Sequence, residues 1–463
     1  MKYISTRGQA PALSFEEAML SGLATDGGLY VPENWPSLSA EEIAAMAGLS
    51  YEETAFRVVR LFTGETFSEA ELKGIIKRAY ASFRHPAKVP LVQVGANQFI
   101  AELHHGPTLA FKDVAMQLIG QMFEVVLKRR GERVTIVGAT SGDTGSAAIE
   151  AFKGLDAVDV VILYPHGRVS EVQRRQMTTP DQSNVHAVAM DGDFDDCQAR
   201  LKDMFNDASF RSEVKLAGVN SINWARVMAQ VVYFFTTAVA LGAPHRKISF
   251  TVPTGNFGDI FAGYVAKRMG LPIERLVIAT NQNDILHRTL QNGEHRKEGV
   301  EPSISPSMDI QVSSNFERLL FDLYDREGDA IEQLMGELGH GGFALSQGAL
   351  ERLRAEFDSG VCSEAETSAT IANMLEDTGE VLCPHSAVAM KVAVEHTGNP
   401  SVPMVILATA HAAKFPDAVE AACGLRPSLP PHMADLFERQ ERVTRCTNDL
   451  SSLKALIIEK SSK

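Results

Sequence analysis

The sequence has few cysteines and aromatic residues, and it has no long apolar run. Its five cysteines are scattered through 463 residues, which provides neither a disulfide framework nor the C-x-x-C pairs of a zinc site. No stretch approaches the ~20 apolar residues of a membrane span. Basic residues are outnumbered, 44 Lys and Arg against 58 Asp and Glu. Binding to nucleic acid or to an anionic membrane is therefore not expected, and no metal site is predicted.

What the chain does contain is typical of a folded globular protein. Apolar residues make up 45% and charged residues 22%, both close to the globular average. The length predicts two or three cooperating domains. Residues 1–8 lack the apolar core of a secretion signal. Together with the unpaired cysteines, this favours a cytoplasmic location.

The periodicity changes near residue 85. Before it lie short helical stretches preceded by Ser or Thr, at residues 14–23, 40–47, 50–62 and 68–80. These predict a small helical N-terminal domain, residues 1–88. From about residue 95, short β-branched runs are each followed by a Gly-containing turn and an amphipathic stretch, which is the pattern of βα units.

The fold class predicted from this pattern is α/β, with two parallel-sheet subdomains in residues 89–463. A smaller mobile subdomain is expected at roughly residues 125–235. The predicted strands are 99–103, 133–137, 158–164, 185–190, 247–252, 275–280 and 402–407, and the clearest helices are 195–206, 224–241 and 258–269. Open parallel sheets bind ligands at the carboxyl ends of their strands, so the turns that follow these strands are the candidate site.

The first such turn lies in residues 138–148, where small and hydroxylated residues lead into a helix. Free amides at a helix N-terminus, with hydroxyls from Thr140, Ser141 and Thr144, suit a carboxylate or a phosphate. The turn is not a Walker loop, because Asp143 and Thr144 stand where Gly and Lys are required. An ordinary Gly-rich connection with an N-cap explains the turn equally well.

A second Gly-bounded turn opens a helix in residues 253–260. Gly255 and Gly258 permit close approach of an anion to the backbone, and Asn256 can donate from its amide. Two anion sites at separate strand ends indicate two anionic ligands or one ligand with two anionic groups. Thr409 ends another strand and either faces the same crevice or bonds its own backbone.

Lys112 lies at the start of a helix rich in Met and Leu. A cation there is electrostatically misplaced, which lowers the amine's pKa and favours Schiff-base chemistry. A lysine that is solvated or paired with Asp113 is the alternative. One amine and two anion sites match pyridoxal phosphate together with an amino-acid substrate.

At this point the sequence resembles the threonine synthase family, pyridoxal-phosphate enzymes of the tryptophan synthase β-like fold (fold type II). The resemblance covers nearly the whole chain and includes the N-terminal segments YISTRG (3–8) and DGGLYVP (26–32). It implies that Lys112, within FKD (111–113), is the catalytic, cofactor-bound lysine.

The resemblance also implies roles for the turns. Gly255, Asn256, Phe257, Gly258 and Asp259 form the loop that holds the cofactor phosphate. Thr409 faces the pyridine nitrogen, and its hydroxyl cannot keep the ring protonated.

Residues 141–146 match the loop for the substrate carboxylate, and NSINWAR (220–226) looks like a segment that contacts the substrate phosphate, although a polar helix entry with a surface Arg explains it as well. Together with Thr140, the residues assigned to the substrate are Ser141, Asp143, Thr144, Ser146, Asn220, Ser221, Asn223 and Arg226.

The reaction implied by this family is the conversion of O-phospho-L-homoserine and water to L-threonine and phosphate, by a monomer or a homodimer. Two alternatives remain open. A phospho-lyase of the same fold would degrade the same substrate to 2-oxobutyrate and ammonia. A catalytically silent binding module would have kept only the fold, although the joint presence of Lys112, Asn256 and Thr409 argues against it.

Overall fold

The computed structural model describes residues 1–461 and contains two parallel sheets with a helical N-terminal unit. The strands are β1 Tyr3–Ser5, β2 Tyr30–Pro32, β3 Leu91–Gly95, β4 Gln98–Glu102, β5 Val134–Ala139, β6 Val158–Pro165, β7 Val185–Met190, β8 Leu216–Ala217, β9 Ile248–Pro253, β10 Ile273–Thr280, β11 Glu294–Arg296, β12 Gly342–Ala344, β13 Phe357–Val361, β14 Met404–Ala408 and β15 Thr444–Cys446.

The helices lie between and around these strands. They are α1 Phe15–Ser21, α2 Ala40–Ala44, α3 Tyr51–Thr63, α4 Glu69–Tyr80, α5 Lys112–Arg130, α6 Asp143–Phe152, α7 Glu171–Thr178, α8 Phe194–Asn206, α9 Ala208–Val214, α10 Trp224–Ala240, α11 Gly258–Arg268, α12 Ile285–Asn292, α13 Phe316–Leu323, α14 Gly328–Gly339, α15 Gln347–Glu356, α16 Glu364–Thr378, α17 Pro384–Glu395, α18 Pro416–Cys423 and α19 Leu450–Ser461.

The N-terminal helices begin where the sequence predicts. Ser14, Ser39, Ser50 and Ser68 each accept a hydrogen bond from the amide of a glutamate three residues later, and that glutamate bonds back to the serine amide. Each capping box satisfies two amides that the first helical turn leaves free. Helix α3 packs on α10 and α4 on α5, so this unit covers the helices that lead into the larger chain body. The predicted helical N-terminal region is confirmed.

The larger sheet has the strand order β13-β10-β9-β14-β4-β3, parallel except for the antiparallel pair β3–β4. Strand β9 is buried along its whole length, as expected for a parallel strand covered by helices on both faces. The seven predicted runs appear as β4, β5, β6, β7, β9, β10 and β14, with ends displaced by at most two residues, whereas β3 and β13 of this sheet were not predicted.

The smaller sheet has the order β15-β7-β6-β5-β8 and is entirely parallel. Its edge strand β15 comes from the end of the chain, and α19 packs with α8 and α9 beside it. The predicted span 125–235 omits this C-terminal segment. That span also includes most of α10, which packs against α3, α5 and α11 instead.

None of the helices in residues 1–461 combines the length and apolar character needed to cross a bilayer.

Helices α5 and α6 pack closely through Gly120, where an added Cβ would lie 2.5 Å from the carbonyl oxygen of Ala151. This contact fixes α6, and with it the turn that begins α6, against the helix that begins at Lys112.

We therefore expect Gly120→Ala to lower the free energy of unfolding by about 1–3 kcal/mol, because the backbone of α6 must move away. Gly336 provides the matched control, since it is also helical but has no heavy atom within 4 Å of an added Cβ. Gly336→Ala should be neutral or stabilising by up to about 1 kcal/mol. Urea unfolding of both variants tests this. Equal effects of the two substitutions would contradict the packing argument.

Candidate active site

Four strand-end segments converge on one cavity of about 630 Å³. The segment after β4 leads to Lys112, the one after β5 leads into α6, the one after β9 leads into α11, and the one after β14 carries Thr409. Parallel strands place their carboxyl ends on one edge of a sheet, and the two sheets bring these edges together. The cavity is the site that the turns predict.

Most of the predicted residues line this cavity. They are Lys112, Thr140, Ser141, Asp143, Thr144, Asn220, Ser221, Arg226, Gly255, Asn256, Phe257, Gly258, Asp259 and Thr409.

Two predicted substrate residues, Ser146 and Asn223, do not line the cavity. The Ser146 hydroxyl donates to the carbonyls of Gly142 and Asp143 inside α6. The Asn223 amide donates to the carbonyls of Met19 and Gly218, and its oxygen accepts from the Ala225 amide. Both side chains are fully buried. Their polar groups are satisfied by backbone, so the cavity gives no support for direct contact with substrate, which stays a prediction.

Lys112 begins α5 as predicted, and its side chain is buried. Burial lowers the pKa of its amine; the Asp143 carboxylate opposes this shift, while Arg226 and Lys414 add to it. The partner is Asp143, whose Oδ2 lies 3.4 Å from Nζ, and not the adjacent Asp113. Lys112 is therefore neither solvated nor paired with its neighbour, so the simpler alternative does not describe it.

Asp143 was predicted to lie in the substrate-carboxylate loop, yet its own carboxylate faces two lysines. Its Oδ1 lies 2.9 Å from Nζ of Lys414 and accepts from Nε2 of Gln173 at 2.9 Å. Burial opposes ionisation of Asp143, but Lys414 and then Lys112 hold its pKa well below the ordinary value. Asp143 is therefore a counter-ion and not a receptor for another carboxylate.

Thr140 organises the turn that begins α6. Its Oγ1 accepts from the amides of Gly142 and Gly145, both at 2.9 Å. Ser141 and Thr144 are half-buried and line the cavity beside it. The turn is thus a capped Gly-rich connection that also lines the cavity, and its use as an anion site stays a prediction.

The turn between β9 and α11 brings backbone close to a neighbouring loop. An added Cβ at Gly255 would lie 2.6 Å from the carbonyl oxygen of Ser307. Phe257 adopts φ 60°, a left-handed conformation that costs a non-glycine residue of order 1–3 kcal/mol. Its ring packs against Phe316 and Phe357. Phe257 therefore contributes main chain to the cavity, and its ring anchors the turn.

Asp259 in the first turn of α11 is buried, and burial raises the pKa of its carboxyl to about 7. The Tyr233 hydroxyl donates to Oδ1, whereas Oδ2 is buried with no partner. Thr409 follows β14 as predicted and lines the cavity, and its carbonyl accepts from the Phe111 amide at 2.8 Å.

Arg226, on the first turn of α10, carries a buried charge without an anionic partner. Its side chain is 4% exposed, Nη1 donates to the Val219 carbonyl at 3.4 Å, and Nε has no partner. Burial lowers the pKa of its guanidinium to about 10. No carboxylate of the described residues pairs with it, so the site is suited to an anionic ligand.

His385, at the start of α17, lines the cavity and was missed by sequence reasoning. Its Nε2 accepts from the Ser307 amide at 3.2 Å, while Nδ1 is buried without a partner. Burial lowers the pKa of His385 to about 4, so the ring is neutral, with its proton on Nδ1. In the sequence His385 is one of several polar residues of α17, next to Ser386, and gave no distinct signal.

Lys414 and Gln173 were also missed, although the segment that follows β14 contains a conspicuous lysine. Nothing in sequence spacing links Lys414 to Asp143 across 271 positions, since they meet only where the two sheets face each other.

Among residues 1–461, no group of three His, Cys, Asp or Glu side chains is placed to hold a metal ion.

Comparison with known proteins agrees with this architecture. Three family profiles match, described as threonine synthase N terminus over residues 2–80, pyridoxal-phosphate dependent enzyme over residues 87–337, and threonine synthase C-terminal over residues 386–457. The threonine synthase of Pseudomonas aeruginosa is 53% identical, covering 100% of this chain and 99% of its own length. That of Saccharomyces cerevisiae is 44% identical, covering 91% and 88%.

Solved structures give the same result. The pyridoxal-phosphate-bound threonine synthase of Brucella melitensis is 57% identical, with a TM-score of 0.97 and full coverage of both chains. The yeast enzyme is 40% identical, with a TM-score of 0.94, covering 100% of this chain and 99% of its own. The described cavity, the two parallel sheets and these matches have one explanation: the chain belongs to the threonine synthase family of pyridoxal-phosphate-dependent enzymes.

Proposed function

We propose that the chain converts O-phospho-L-homoserine and water to L-threonine and phosphate. The observation that carries this proposal is Arg226, a buried guanidinium without an anionic partner in the same cavity as the Lys112 amine. A phosphate ester would neutralise Arg226, while an amino-acid backbone would lie near Lys112. Nothing in the described residues favours a different reaction class.

The cavity residues fit pyridoxal phosphate. Lys112 provides a buried amine for the aldehyde, and α11 is an 11-residue helix whose N-terminus attracts phosphate. The close approach at Gly255 requires a residue without Cβ. When bound, pyridoxal phosphate withdraws electrons from the substrate α-carbon. We assign the phosphate to residues 255–259 and the pyridine nitrogen to Thr409, whose hydroxyl leaves the ring unprotonated.

Lys112 moves the protons. Burial lowers the pKa of its Nζ, and Asp143 opposes that shift. Nζ takes the proton from Cα and assists removal of a proton from Cβ. Loss of the γ-phosphate follows, then protonation at Cγ, addition of the hydroxyl group of water at Cβ, and return of a proton to Cα. Burial of Nζ excludes bulk water from the proton while these steps occur.

The polar walls orient the substrate. Ser141 and Thr144 of the α6 turn are assigned to the carboxylate, together with the end of the α6 dipole. Asn220, Ser221 and Arg226 are assigned to the phosphate. Thr140, Ser146 and Asn223 hold these segments in place through backbone contacts.

We also propose that the chain divides into residues 1–88 and 89–463. The smaller mobile subdomain, expected at roughly residues 125–235, is extended to include β15 and α19. A cytoplasmic location and a monomeric or homodimeric state are part of the proposal. The five free cysteines support the cytoplasmic location, because thiols stay reduced there.

The reaction is tested by supplying the cofactor-loaded protein with O-phospho-L-homoserine and measuring phosphate, threonine and 2-oxobutyrate together. Threonine equal to phosphate is expected. Phosphate accompanied by 2-oxobutyrate would make the protein a degradative phospho-lyase instead. No turnover by a protein with bound cofactor would favour a silent binding module, and Lys112→Ala should abolish every product.

Arg226→Gln should raise KM for the phosphate substrate roughly thirtyfold, because a charged hydrogen bond worth about 2 kcal/mol is lost. The same change removes an unpaired buried charge, so the free energy of unfolding should rise by about 1 kcal/mol. Arg296→Gln, which removes only an exposed pair with Glu294 outside the cavity, is the control. An unchanged KM in the Arg226 variant would exclude it from substrate binding.

Gly255→Ala should weaken pyridoxal phosphate binding at least tenfold, because the new Cβ displaces the loop by its contact with the Ser307 carbonyl. Fluorescence titration of cofactor-depleted protein measures this. Gly348→Ala, at an exposed glycine with no heavy atom within 4 Å of an added Cβ, should leave the affinity unchanged. Wild-type affinity in Gly255→Ala would mean that the cofactor phosphate lies elsewhere.

A further inference from the structure

Lys414 is the most completely buried lysine of the cavity region. It follows β14 in a single turn of 3-10 helix, Ala412–Lys414, and its side chain has no solvent exposure. Nζ lies 2.9 Å from Oδ1 of Asp143 and donates to the Thr108 carbonyl at 2.7 Å. A buried ammonium is retained only when it is fully paired, and these contacts provide that pairing.

Lys414 joins the two sheets at the cavity. It belongs to the larger sheet, whereas Asp143 begins α6 of the smaller one. Ser170, the N-cap of α7, donates to the Lys414 carbonyl at 3.1 Å. Gln173, on α7, donates to Asp143 Oδ1. The pair Lys414–Asp143 therefore fixes both α6 and α7 relative to β14.

The Asp143 carboxylate is shared between two cations. Oδ1 faces Lys414 at 2.9 Å, and Oδ2 faces Lys112 at the longer distance of 3.4 Å. A carboxylate already neutralised by one close ammonium attracts a second one less strongly. The nearer lysine thus reduces the hold of Asp143 on the proton of Lys112.

We propose that Lys414 is a positioning residue for Lys112: by binding the nearer oxygen of Asp143, it keeps the Lys112 amine available in its neutral form. The consequence for threonine formation rests on the proposed function. The effect on the amine itself depends only on the cofactor chemistry of the family.

Other charged groups surround Lys112, and none replaces Lys414. Arg226 on α10 adds a positive charge, and Asp259 on α11 is buried with its pKa raised to about 7. His385 on α17 is neutral because burial lowers its pKa to about 4. Removing Lys414 would leave Asp143 with Lys112 as its only close cation and would take away a neighbouring positive charge. Both changes raise the pKa of Lys112.

The test is the rate at which cofactor-depleted full-length protein captures pyridoxal phosphate, followed by absorbance across pH. Only the neutral Lys112 amine adds to the aldehyde, forming a C=N bond and releasing one water. Lys414→Met should move the midpoint of this rate upward by about one pH unit. Below the midpoint, capture should be roughly tenfold slower than in the wild type.

Three variants separate this role from a structural one. Lys414→Arg keeps the charge and should restore the wild-type midpoint. Lys153→Met removes the lysine that follows α6 and pairs with Glu150 outside the cavity and should leave the midpoint unchanged. Asp143→Asn should shift the midpoint in the opposite direction, downward.

A folded Lys414→Met protein with the wild-type midpoint would overturn the proposal, as would a lowered unfolding temperature without any shift. If the methionine variant does not fold, Lys414→Gln retains a donor for Thr108 and applies the same test. A protein that captures the cofactor with the expected shift but forms no threonine would disprove the proposed function and leave the role of Lys414 intact.

Discussion

The cavity depends on one buried carboxylate, Asp143, held between Lys112 and Lys414. Each of these charges alone would be costly in the interior, but together they place two cations on either side of one anion. Because Asp143 begins α6 and Lys414 follows β14, the same contact that balances charge also sets the distance between the two sheets. The balance of charge and the packing of the two sheets therefore depend on the same contact. The turn that begins α6 cannot move without exposing the Asp143 carboxylate.

Other polar atoms in the cavity are left without protein partners. Arg226 Nε, His385 Nδ1 and Asp259 Oδ2 are all buried and unpaired. Most buried polar groups in folded proteins are hydrogen-bonded, so these three unpaired atoms are places in the cavity where ligand groups can supply the missing partners. An unpaired buried polar atom lowers the stability of the protein, and a ligand group that pairs with it offsets this loss.

The N-terminal unit contributes to this arrangement without reaching the cavity. Trp224, the first residue of α10, packs against Tyr3, Trp35 and Phe62, and Asn223 donates to the carbonyl of Met19. These contacts fix the start of α10, whose first turn carries Arg226 at the cavity. The N-terminal unit typical of this family thus positions the residue that we assign to the substrate phosphate.

The sequence determined the local features of this protein. Capping serines, β-branched runs and Gly-bounded turns are short-range signals, so the helix starts, the strands and the loops around Lys112, Gly255 and Thr409 were predictable. The sequence could not separate a contact with substrate from a backbone contact at Asn223 and Ser146, because a polar side chain looks the same in sequence whether it faces a ligand or bonds to its own helix. Only the tertiary structure decided the partner of Lys112, since Asp143 and Lys414 are distant in the chain and meet through the packing of two sheets. It also decided which charges were left unpaired, because burial is a property of the assembled chain.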